Sequence, residues 1–288
     1  MTLVTHSKAG GGGDVFLREL AEHIGPKMGV EFVIENVVGG GAAKAMQMVA
    51  QAPADGSVIY GTTPTYINTS LLNNPEFTYK DLDPVANVFV DPQIFYVRAD
   101  SPFQTLADAL EHAKANPGQT KWGVTSPGST SRQIVERLKV LNEVDIVLGS
   151  HDSGSETLVS VLNGSVDIGV GEVVEISGQV AANELRIVAV LGEERLPSFP
   201  DVLTAREQGI DIVVKKFRGL AGPKGLPQNV LDAWAEAIPA LLEDPSYKAR
   251  YERDNVVPAF LDHEGYGRLI EEFVTETEQY YREVGIMK

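Results

Sequence analysis

The chain has 288 residues, 43% of them apolar, enough for two domains of ordinary size or one large one. A formal net charge of −16 without basic stripes argues against a nucleic-acid partner, and no run of about 18 apolar residues offers a membrane span. There is no cysteine, and the five histidines are never spaced i, i+4, so neither thiol chemistry nor a local metal motif is expected, and no cofactor.

Residues 2–7 read as a strand, residues 8–14 as a glycine loop ending in an acid, and residues 15–20 as the start of a helix. Strand, glycine turn and helix N-terminus together make an anion site, because free backbone N–H groups and the helix dipole converge there. Gly10, Gly11, Gly12, Gly13 and Asp14 are its candidate residues, with Asp14 expected as the helix cap. The loop is not a nucleotide fingerprint. The sixth position of G-x-G-x-x-G is Val15 or Phe16, and no Gly-Lys-Ser/Thr closes a P-loop. With so acidic a chain, local dipoles and placed donors must hold an anion without long-range steering.

A second strand (31–36) leads to a second glycine loop, Gly39-Gly40-Gly41, and a small-residue helix (42–50). The turn at 53–56 precedes a third strand (58–61), whose end carries Thr62 and Thr63 as candidates. Alternation of this kind predicts a parallel sheet with its ligand edge at the strand C-termini. Residues 82–97 are extended and read as a strand leaving the first domain.

A second βα block follows: helix 105–115, strand 121–124, helix 131–141, strand 145–148, helix 156–162, and strands 167–170 and 186–190. Its strand-end loops supply Ser126, Gly128, Ser129, Thr130, Ser131 and Arg132, then Asp152, Ser153 and Gly154, then Glu172. Small hydroxyl residues before a helix either cap it or offer donors to a carboxylate. Residues 211–214 lead through 215–219 into 220–223, with Arg218 at the returning strand between the lobes, and the rest read as helices over 228–242, about 245–254 and 264–281. The expected architecture is α/β with two lobes joined by two crossover strands. Lobe one is 1–96 plus 216–288, and lobe two is 97–215.

The ordered motifs Ala9-Gly10-Gly11-Gly12-Gly13-Asp14, Glu35-Asn36, Pro53-Ala54-Asp55-Gly56, Ala115-Asn116-Pro117-Gly118, Leu162-Asn163-Gly164-Ser165-Val166-Asp167 and Gly222-Pro223-Lys224-Gly225 span the chain. In order and spacing they resemble the TctC/Bug substrate-binding proteins of tripartite tricarboxylate transporters. Phe217-Arg218-Gly219 and Gly171-Glu172 are similar to the tricarboxylate branch, whereas Ser131-Arg132 stands where that branch carries Asp-His. The resemblance implies a type II periplasmic-binding-protein fold that closes on a small carboxylate and delivers it to membrane permease subunits. It also implies a periplasmic location, with Met1 standing in place of a removed leader, and a monomer is expected. The rivals are an α/β enzyme acting on a small anion and a periplasmic sensor component. No G-x-S-x-G elbow supports the enzyme, and His151-Asp152 is its one tempting acid–base pair.

Overall fold

Three parallel strands open the chain in a computed structural model that describes residues 1–283 and 287. β1 (Thr2–Thr5) lies between β2 (Val33–Asn36) and β3 (Val58–Thr62). Helix α1 (Gly12–Met28) buries Phe16, Leu17, Leu20 and Ile24 at i, i+3/i+4 spacing and stops at Gly29, whose φ of 64° is left-handed. Before α2 (Ala43–Ala50), Gly39, Gly40 and Gly41 have φ of 133°, 61° and 59°. Side chains rarely tolerate three such residues in succession, so this turn needs its glycines.

α3 (Pro64–Asn73) fills a stretch to which the sequence reading assigns no element. Pro64 occupies its first turn, and Thr65, Asn68, Thr69 and Ser70 are buried polar residues that blur any apolar stripe.

The central element is β4 (Leu82–Arg98), 17 residues long. Residues 82–92 pair antiparallel with β9 (Lys215–Pro223), and the same stretch also carries β10 (Val257–Leu261). From Gln93 onward it pairs with β7 (Ile168–Glu172) and β8 (Leu185–Val190). β5 (Lys121–Val124) and β6 (Val147–Ser150) complete the second sheet in parallel with β7. The order β2-β1-β3-β9-β4-β7-β5-β6 is therefore mixed rather than parallel throughout, because the crossing strands run against their neighbours.

Helices α4 (Leu106–Ala115), α5 (Thr130–Asn142), α6 (Gly154–Leu162) and α7 (Val173–Ala181) belong to the middle of the chain, and α8 (Gln228–Leu242), α9 (Pro245–Arg253) and α10 (His263–Glu283) to its end. Packing divides cleanly. Two apolar cores, around Leu3, Phe16 and Trp234 and around Tyr60, Tyr66 and Tyr266, draw only on residues up to Phe89 and from Phe217 onward. Two others, around Trp122 and Leu138 and around Tyr96 and Ile176, draw only on residues from Ile94 to Val214.

Other expectations shift. The returning strand at Arg218 is β9 and starts at Lys215, β6 sits two residues later than expected, and α7 and β10 were not anticipated. Residues 284–286 and 288 of the expected lobe-one range lie outside the described residues. Among the described residues no helix is long and apolar enough to cross a membrane.

Candidate functional site

The C-terminal ends of the parallel strands in both units face one another across a cavity of about 120 Å³. Its walls include Gly12, Gly13, Thr63, Ser126, Ser129, Thr130, Ser131, Asp152, Ser153, Gly154 and Glu172, all anticipated from the sequence.

Two groups of contacts close this space. In the first, a Cβ on Gly41 would lie 3.2 Å from Ser126 Oγ, and one on Gly128 would meet the Thr69 backbone nitrogen at 2.9 Å. These glycines let the two units approach at backbone distance. Ser129 caps α5, its hydroxyl accepting from Arg132 N at 3.1 Å, and Ser131 Oγ accepts from Thr125 N at 3.0 Å. Thr63 and Thr130 are 5% and 8% exposed, and their hydroxyls have no hydrogen-bond partner.

The second group is charged. Gly12 N, at the start of α1, donates to Glu175 Oε1 at 2.9 Å, and Glu172 N donates to Glu175 Oε2 at 3.3 Å. Glu172 is itself held by Lys216, with Gln93 Nε2 at 3.2 Å and Arg218 Nη2 at 3.7 Å. Arg218 Nε donates to Asp91 at 2.6 Å, directly where β4 and β9 pass between the two units. At the rim, Lys8 pairs with Asp152 at 2.9 Å and with Glu156.

Electrostatics follow from this burial. Burial opposes ionisation of Glu172, but Lys216 and Arg218 outweigh it and hold its carboxyl below the ordinary range. Glu175 moves the other way, raised by burial and then by the Glu172 charge. Burial, followed by Lys216 and Arg218, lowers His6 to about 4. The neutral ring lies 2.7 Å from the Tyr60 hydroxyl through Nδ1.

Seven expected residues stand outside the lining. Gly10 donates to Asp14 Oδ2 at 3.0 Å, and Gly11 is the extended residue that precedes α1. Asp14 is not the cap but the third helical residue; it reaches back to Gly10 and binds Arg18 and Asn36. Thr62 spends its hydroxyl on Tyr266 at 2.7 Å, and Gly128 packs against Thr69. Arg132 turns to Ser150 and Glu136. Arg218 lies behind the wall, 1% exposed.

Conversely, His6, Ser7, Gly39, Gly40, Gly41, Thr65, Gln93, Thr125, Glu175 and Lys216 line the cavity without having been nominated. Lys216 is two residues from Arg218 on one strand, hence on the same face, and Glu175 is one helical turn from Glu172. Those spacings were the available signals. His151 is not in the lining; Ser160 Oγ and the Val124 carbonyl lie beside its ring nitrogens, at 2.7 and 3.3 Å. Among the described residues no group of His, Cys, Asp and Glu could hold a metal ion.

Two α/β units joined by two crossing strands, with a polar cavity at their facing strand ends, define the type II fold of periplasmic binding proteins. The periplasmic binding protein BugD superposes with a TM-score of 0.93 at 24% identity, covering 100% of this chain and 98% of its own. A Rhodopseudomonas palustris protein, Rpa4515, solved with adipate, gives 0.94 at 24% identity, with 99% and 97% covered. A Cupriavidus necator UPF0065 protein from the gbd 5′ region is 28% identical over 99% of this chain and 88% of that one. The profile of the tripartite tricarboxylate transporter family receptors, TctC, matches residues 16–286. The chain belongs to that family.

Proposed function

We propose that this protein is an extracytoplasmic solute receptor that binds a small carboxylate between its two units and delivers it to the membrane permease subunits of a tripartite tricarboxylate transporter. The observation that carries this reading is the lining of the cavity. Hydroxyls and glycine amides from both units converge at strand C-termini and helix N-termini, the backbone setting that favours an anion. The adipate bound by the Rpa4515 protein supports the same ligand class.

In this reading the two lobes exchange where β4 and β9 cross, and ligand contacts from both sides favour the closed arrangement by population shift. The protein works in the periplasm as a monomer and performs no catalysis. The direct test is a thermal-shift panel of mono-, di- and tricarboxylates. A ligand present at 100 times its Kd adds about 2.7 kcal/mol to a native state that alone binds it, a shift of several degrees. A flat response to every carboxylate would overturn the proposal.

A further inference from the structure

A second cavity, of about 430 Å³, lies between α10 and α5 and shares Thr130 with the first. Its volume falls in the range of small-molecule sites, about 300–1,000 Å³. Each unit supplies one wall. Asn68 of α3 and Phe273, Thr277 and Tyr280 of α10 face Gln133 and Ile134 of α5 and residues 212–214. Ile134, Ile212, Val213, Val214 and Phe273 give this lining a largely apolar, ring-sized character.

The polar atoms of the same walls are incompletely paired. Asn68 Oδ1, Thr130 Oγ1, Gln133 Oε1 and the Tyr281 hydroxyl all lack a hydrogen-bond partner. Asn68, Thr130 and Tyr281 are 3%, 8% and 0% exposed, so outside solvent does not serve them. Buried polar atoms are normally paired, and four around one space mark a place where a partner is missing. Gln133 spends its Nε2 on the Pro127 carbonyl at 2.8 Å, which leaves its oxygen to accept. Burial pushes the Tyr281 hydroxyl up from its ordinary pKa, so it keeps its proton. The two amide oxygens can only accept, so a molecule that satisfies them must bring a donor.

Charge narrows the choice. Arg137 stands against Glu193 and Glu276 in the lining, a balance that disfavours an anion. The Arg137 guanidinium already covers the Tyr280 ring, 5.9 Å from its centroid, which disfavours a second cation there. We infer that this cavity is a second binding site, for a small uncharged molecule with an aromatic ring and a hydroxyl or amide donor. The carboxylate reading of the first cavity plays no part in it. Because both units form the walls, a molecule held there is coupled to their relative arrangement.

Phenol and anisole share a ring and differ in the donor, so a two-dimensional NMR titration of the full chain at pH 7 with each tests the inference. Millimolar phenol is expected to shift the amides of Asn68, Gln133, Thr277 and Tyr281 saturably. It should bind about ten-fold more tightly than anisole, the worth of one hydrogen bond to an otherwise unpaired group. Thr277→Trp, which fills the space from the α10 wall, should weaken phenol by a similar factor or more. The absence of saturable shifts at these residues, or shifts confined to the first cavity, would overturn the inference. Equal binding of phenol and anisole would also overturn it, as would unchanged phenol binding in folded Thr277→Trp. If that variant fails to fold, the two wild-type titrations alone decide.

Discussion

Asp91 and Arg218 are each 1% exposed, so neither can be removed without stranding the other. Replacing Asp91 with Ala should cost about 3–5 kcal/mol in urea unfolding, the penalty of an uncompensated buried charge. A loss under about 1 kcal/mol would show that Glu172, 3.7 Å from Arg218 Nη2, suffices as its partner. His6 supplies a second test. Its folded pKa of about 4 lies below the ordinary 6.5, so between those values the unfolded chain holds the extra proton. The stabilisation from the neutral ring is complete above about pH 6.5 and is lost as pH falls toward 4. Imidazole NMR should place the His6 midpoint near 4, and His6→Asn should lose less stability than wild type between pH 7.5 and 5. A midpoint near 6.5 would contradict this. At this scale, a hydroxyl cap before α5 was legible, because small hydroxyl residues before a helix commonly cap it, but that Ser129 and Ser153 are the caps was not, since both helices begin earlier than the sequence suggests. Glu175 and Lys216 were not legible either, since their roles arise only when α7 and β9 meet the start of α1.

The elements that matter most are β4 and its partners. Gly169 on β7 sits opposite Tyr96 on β4, and a Cβ there would collide with the Tyr96 ring. Gly169→Ala should destabilise the protein by about 1–3 kcal/mol, measured by denaturant unfolding, because the ring is fully buried and has nowhere to go. No measurable change would mean that Tyr96 repacks freely. Alternating strands and helices were readable from apolar runs and turn residues, and the long extended stretch at 82–97 stood out. What could not be read is that one strand serves two sheets. That depends on which partners reach its two halves, and nothing local to β4 encodes it. α3 was missed because its buried face is polar, and β10 because Pro258 and its exposed Val257 look like loop.

For the whole molecule, the cores divide where β4 and β9 cross, with Asp91, Lys216 and Arg218 at the crossing, and the proposed closure would turn about residues 90–93 and 214–216. The Lys8 pairs with Asp152 and Glu156 bridge the units at the rim and are partly exposed, so they contribute little to stability. Lys8→Ala should leave the unfolding free energy within about 0.5–1 kcal/mol of wild type, while small-angle scattering should show a more open average shape. Unchanged scattering would take the rim pairs out of the closure mechanism. The loop at Gly10–Asp14, prominent in the sequence, contributes less than expected: its amide at Gly12 is met by Glu175, and the uncharged donors lie instead around Gly41 and α5. The central claim is that a carboxylate is held between the units. A crystal structure with a carboxylate that raises the melting temperature tests it most directly. The predicted result is ligand density between Gly41 and Thr63 on one side and Ser126 to Ser131 on the other. Density for that ligand anywhere outside this cavity would contradict the account.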